Sequence, residues 1–191
     1  MTTFREQREA LKSVATTLKR AGVPFALAGS YAGWARGGPE STHDVDFAVS
    51  PADAERALAA LAEDGMPHQP APEDWLHKVR HGEVVVDLIH RLPIGEVGEE
   101  LFAHCDLLSV DSVRMPVMSA TDLVLSRALA LSVHACDFES PLAIARALRE
   151  QVDWERVRKE SDDHPFARAF SSLLESLGVT DGRRSSDALL D

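Results

Sequence analysis

His43-Asp-Val-Asp-Phe-Ala-Val49 carries two aspartates two residues apart, in a run whose β-branched and aromatic content reads as a strand. Alternate side chains on a strand share a face, so Asp44 and Asp46 point the same way. Two like charges held that close repel, and a chain rarely keeps such a pair unless a cation sits between them. All-oxygen ligands of this kind suit Mg2+ or Mn2+ rather than zinc.

Downstream, Glu83-Val-Val-Val-Asp-Leu-Ile89 is an apolar run broken by one acid, which reads as a buried strand. An unpaired charge there is costly, so Asp87 requires a metal or a basic partner. Upstream, Phe25-Ala-Leu-Ala-Gly29 reads as another strand, and residues 31–36 as the helix that follows it. Gly29 lets backbone N–H groups approach a phosphate, and the Ser30 hydroxyl is placed to bond a phosphate oxygen. Taken singly, each feature has an ordinary explanation. Asp-x-Asp at a strand start is commonly a solvated edge, and Asp87 alone reads equally as a salt-bridged core acid.

Together, Leu27-Ala-Gly-Ser30, Ser41-Thr-His-Asp-Val-Asp46 and Asp87 resemble the Gly-Ser, Asp-x-Asp and third-Asp signature of the DNA polymerase β-type nucleotidyltransferase superfamily. Within it the chain is most similar to the bacterial toxins of the AbiE and MenT type, because a helical half with a basic residue and a further acid follows. The resemblance implies an α/β (α+β) fold, a small mixed nucleotidyltransferase sheet flanked by helices. Residues 1–118 would form the catalytic domain and residues 119–191 a helical C-terminal region. It also implies catalysis and metal binding by Asp44, Asp46 and Asp87. Gly29, Ser30 and Arg127 would bind the nucleotide, arginine standing where relatives use a helix lysine. Asp137 would match the further acid.

The composition fits one ordinary intracellular domain or a compact two-lobed unit. At 191 residues and 45% hydrophobic content there is enough chain for a sizeable core. Charged residues from Arg5 to Lys12 fill the place of a signal peptide, and no run approaches membrane-spanning length, so a cytoplasmic protein without membrane contact is expected. Cys105 and Cys136 lack metal-like spacing and are expected to be reduced thiols. The net charge of −11 opposes nonspecific binding to long nucleic acids. A local basic groove for the acceptor is the expectation for Lys78, Arg80 and Arg114. An edge strand carrying Lys and Arg to deter pairing explains the first two equally well.

The coarse organisation is a helix over residues 3–21, strands near 25–29 and 44–49, and a helix from Pro51 to about Glu63. A proline-rich loop covers 65–72. Strands near 75–80, 83–89 and 107–117 follow, the last interrupted around Asp111. Ser119-Ala-Thr-Asp122 has the spacing of a capping-box variant and opens a helix to about Val133. Ser140-Pro141 and Asp153 mark two further helix starts, and the tail from Gly182 is expected to fray.

The reaction implied is transfer of an NMP from an NTP to an acceptor hydroxyl, with two metal ions clamping the phosphates. The toxin resemblance implies the tRNA 3′ end as acceptor and, as partner, a cognate antitoxin that acts either as a kinase or by binding. Phosphorylation at Ser41 or Thr42 would then place negative charge beside the carboxylates and repel NTP. Transfer to a small molecule of the aminoglycoside type, or to a protein, is the alternative enzyme. An inactive nucleotide-binding module is the alternative of another class.

Overall fold

A computed structural model describes residues 3–41 and 44–180; Thr42, His43 and the tail from Gly182 lie outside the described residues. Helix α1 (Phe4–Arg20) starts at a capping box: Thr3 Oγ accepts from the Glu6 N–H at 3.2 Å, and Glu6 Oε2 accepts from the Thr3 N–H at 2.6 Å. Its buried stripe is Ala10, Leu11, Val14, Ala15 and Leu18. The helical spacing of these apolar residues gives α1 one face for the sheet.

Strand β1 (Phe25–Leu27) is buried throughout and leads into α2 (Gly29–Ala35). Then come β2 (Val45–Val49), a 3-10 turn at Pro51–Asp53, and α3 (Ala54–Glu63). Next are β3 (His68–Gln69), β4 (Leu76–His81), β5 (Val84–Ile89), and a separate ribbon of β6 (Arg91–Leu92) and β7 (Gly95–Glu96). Helix α4 (Glu99–Ala103), β8 (Asp106–Val110) and β9 (Val113–Val117) complete the first part. Helices α5 (Ala120–Ala130), α6 (Glu139–Leu148), α7 (Trp154–Ser161) and α8 (Pro165–Ser176) follow.

Seven strands form one mixed sheet in the order β3-β4-β5-β2-β1-β9-β8. Strand β2 is the central one; β1 beside it is antiparallel to β2 and parallel to β9, with Leu27 opposite both Phe47 and Val117. Strand β5 runs parallel to β2, and β4 antiparallel to β5. Helix α1 packs on β2, β5 and β9, and α3 on α1 and β4. Helix α5 packs against α6, α7 and α8 and also reaches α2, which brings the C-terminal helices against the first part of the chain. A single hydrophobic cluster includes Leu11, Leu27, Phe47, Val86, Met115, Val124 and Phe170. Among the described residues, no helix is long and apolar enough to cross a membrane.

Several expectations shift in detail. The 65–72 loop contains β3, whose His68 and Gln69 pair with Val79 and Lys78; two residues are too few to show a period. The interruption at Asp111 is a hairpin turn, with Asp111 and Ser112 at φ of +47° and +70°. Arg8 bonds the Asp111 carboxylate there, Lys12 stands 3.4 Å away, and these contacts hold its pKa below the usual carboxylate range. Helix α5 stops at Ala130, because Leu131 turns extended at ψ 137°. The 119–122 cap is present: Ser119 Oγ accepts from the Asp122 N–H at 3.0 Å and donates to its carboxylate at 2.7 Å.

Candidate functional site

The strand register builds the site. Asp46 and Asp87 are partners across the parallel β2–β5 pair, and Lys78 and Asp87 are partners across the antiparallel β4–β5 pair. Residues opposite one another share a face, so Lys78, Asp87 and Asp46 form one row across three adjacent strands about 4.8 Å apart. Asp44 lies two residues before Asp46 and is exposed. Lys78 Nζ donates to both oxygens of Asp87, at 3.0 and 2.9 Å.

This row is electrostatically strained. Burial pushes the Asp46 carboxyl up to about 7, and the charges of Asp87 and Asp44 add to the effect, while Arg127 and Lys78 oppose it. Asp87, only 7% exposed, is also raised by burial, against which Lys78 works in the other direction. The backbone fixes Asp46 from the other side: the Ala28 N–H donates to the Asp46 carbonyl at 2.9 Å. Gly29 follows at φ +58°, where a Cβ would stand 1.8 Å from Asp46 Oδ2. Only glycine meets both the conformation and the close approach.

Beside the row, a cavity of about 330 Å³ is lined by Ser30, Ser41, Arg127, Asp137, Glu139 and Ser140, among others. Segments distant in sequence thus meet around one space. Ser30 Oγ and Ser41 Oγ are 2.6 Å apart, and Ser41 is 3% exposed, so a kinase would have to open this contact to reach it. Arg127 reaches from α5, with Nη1 donating to Ser140 Oγ at 3.3 Å. Its burial lowers its pKa, and the charge of Asp46 counters that effect. Asp137, in the turn that leads into α6, accepts from the Glu139 N–H at 2.9 Å.

Of the basic residues expected to form an acceptor groove, Arg114 stands apart from Lys78 and Arg80. Arg80 is bonded to Glu83 at 2.7 Å and to the Gly82 carbonyl at 2.8 Å. Arg114 is exposed on β9, three strands from β5, with its carbonyl accepting from Lys19 at 2.9 Å. Strand β9 runs parallel to β1, so Arg114 lies about 10 Å from the Leu27 level, toward the end of the sheet opposite Gly29. Sequence reasoning missed Glu73, just before β4, whose charge acts on both Lys78 and Asp87. Its Oε2 is buried with no hydrogen-bond partner among the described residues. No motif marks it; an acid directly after a proline-rich stretch was the only signal.

The donor set fits a hard divalent cation, being all carboxylate and carrying mutual repulsion that a cation would relieve. Among the described residues, no three acidic, histidine or cysteine side chains stand in ready ligand geometry. Both oxygens of Asp87 are bonded to Lys78.

Residues 6–181 match the family described as uncharacterised nucleotidyltransferase. No curated protein matches the chain in sequence. Its structure is similar to that of ANT(2'')-Ia in complex with adenylyl-2''-tobramycin, with a TM-score of 0.60 and 13% identity, over 87% of this chain and 98% of that one. It is also similar to the lincomycin-bound lincosamide antibiotic adenylyltransferase LnuA, with a TM-score of 0.53 and 14% identity, over 75% of this chain and 97% of that one. At such identities the likeness speaks for the fold. The family match does more, since it runs unbroken across the carboxylate row, the cavity and the helices behind it: this chain belongs to the nucleotidyltransferase family and is an enzyme of that class.

Proposed function

We propose that this enzyme moves an NMP from an NTP to a hydroxyl of a small, positively charged acceptor, using Mg2+ or Mn2+. The observation that carries the reading is the Asp46–Asp87 pair, in register and next to a cavity that also receives Ser30 and Arg127. Asp44, Asp46 and Asp87 would hold the metal, which when bound supplies charge neutralisation at the phosphates. Ser30 would bond a phosphate oxygen, and Arg127 would offset charge on the departing pyrophosphate. Asp87 would take the hydroxyl proton. Residues 1–118 then supply the metal row and residues 119–191 the cation that meets the phosphates.

The acceptor class follows from charge. Asp44, Glu73, Glu40, Asp137 and Glu139 surround the row and cavity, and Lys78 and Arg80 are already paired with acids. Such a setting attracts a polycation and repels a phosphate backbone. The similar ANT(2'')-Ia structure holds an adenylylated aminoglycoside, and LnuA holds a lincosamide. The tRNA 3′ end, with an antitoxin partner as in AbiE- and MenT-type toxins, stands second. Its support is that Lys78 and Arg80, two residues apart on β4, share the face of the row. The test is incubation with each radiolabelled NTP and Mg2+ in the presence of aminoglycosides, lincosamides, total tRNA or protein lysate. Label on an aminoglycoside is expected; label on tRNA alone would replace the acceptor, and no transfer to any acceptor would overturn the reading.

A further inference from the structure

The third carboxylate of the row is not free. Lys78 grips both oxygens of Asp87, and a divalent cation needs at least one of them. Lysine and metal therefore compete for the same carboxylate, because like charges oppose their sharing the site. The ammonium needs somewhere to go when it leaves, since an unpaired half-buried cation is itself unfavourable.

Glu73 offers that place. It lies three residues before Leu76, where β4 begins, its charge already acts on Lys78 and on Asp87, and its Oε2 is buried without a partner among the described residues. A buried acceptor left unbonded is costly, and the flexible four-carbon stem of lysine allows the head to change partner without moving its strand. We propose that Lys78 and Glu73 form a positioning pair: Lys78 neutralises Asp87 while metal is absent and passes to Glu73 when a divalent cation takes Asp87. The row is thus kept charge-compensated in both states, and Asp87 becomes available as a ligand and proton acceptor only once metal has arrived. The inference rests on the metal-dependent reading given above.

The experiment is a titration of the full chain with Mn2+ alone, with free Mn2+ followed by electron paramagnetic resonance. Lys78→Met is expected to bind Mn2+ about tenfold tighter than the parent, because the competitor is gone. Lys78→Arg keeps the charge and grips a carboxylate with a planar fork, so it should bind Mn2+ several-fold more weakly. Glu73→Gln should also weaken binding several-fold, and that effect should largely vanish when combined with Lys78→Met, as coupling between the two side chains demands. A merely structural pair would give weaker binding in every variant. If Lys78→Met binds no tighter, or Lys78→Arg binds as tightly as the parent, the exchange is overturned. Asp46→Asn separates the two levels. If it leaves Mn2+ binding intact, the metal reading fails and the exchange with it; if it abolishes binding while Lys78→Met matches the parent, the exchange alone fails.

Discussion

Gly29 touches Asp46 so closely that a single methyl group at its Cα would lie 1.8 Å from the carboxylate oxygen Oδ2. The turn that ends β1 and the carboxylate at the β2 end of the row are therefore one mechanical unit.

Gly29→Ala should consequently lower nucleotidyl transfer more than tenfold. The new Cβ must push Asp46 out of its row, and the φ of +58° adds about 1–2 kcal/mol of strain. Gly22→Ala is the control, with a similar φ of +64° and nothing within 4 Å of the added methyl. It should cost about 1 kcal/mol in thermal unfolding with transfer unchanged. Equal effects of the two on activity would detach Gly29 from the site.

The raised pKa of Asp46 sets a pH window. Its folded value of about 7 exceeds the ordinary 3.8, so between these values the folded state binds more protons than the unfolded one. The contribution of this group to stability falls as pH rises through the window and is fully lost above about 7. Asp46→Asn should therefore match the parent in Tm near pH 4 and exceed it increasingly up to pH 8, by about 2–4 °C for each kcal/mol relieved. Melting curves without metal at both pH values check this; a parent that is the more stable of the two at pH 8 would contradict it. The same substitution should abolish transfer at every pH.

If Arg127 meets the departing phosphates, Arg127→Ala should reduce kcat/KM for NTP by about 1.5–3 kcal/mol, roughly 10- to 150-fold. Arg127→Lys should recover part of this through its charge but not its fork. Steady-state kinetics with varied NTP measure both, and unchanged values would make Arg127 a helix residue bonded to Ser140 and nothing more.

Away from the site, Asp122 is 1% exposed and paired with Arg156 at 2.8 Å, while also receiving the Ser119 hydroxyl. Asp122→Ala removes the buried partner of a part-exposed Arg156, which keeps Glu160, and should destabilise by about 1–3 kcal/mol. Urea unfolding should show the midpoint falling at constant m.

Local signals were legible in the sequence because they are local. The Ser119 cap, the α1 stripe and the acids within apolar strand runs each depend on neighbours a few residues away. Pairing was not legible. That Asp87 faces Asp46 on one side and Lys78 on the other follows from the registers of three strands, and no spacing within any one of them fixes that alignment. Arg114 follows the Asp87 strand in sequence, yet β9 inserts beside β1, so nearness along the chain gave no nearness in space. Helix α8 was overlooked although His164-Pro165 opens it and Phe166, Phe170 and Leu173 keep helical spacing. Glu73 and β3 lay in a stretch whose prolines read only as a break.

The order of the strands also sets a timetable for the nascent chain. Asp44, Asp46, Lys78 and Asp87 are all made by the time residue 89 has been added, so the carboxylate row lies wholly within the first half of the chain. Arg127 emerges forty residues after Asp87, roughly 2–8 s later at ordinary rates of synthesis. The Lys78–Asp87 ion pair needs only β4 and β5, neighbours in sequence and in the sheet, whereas the cation on α5 must wait for the second half of the chain.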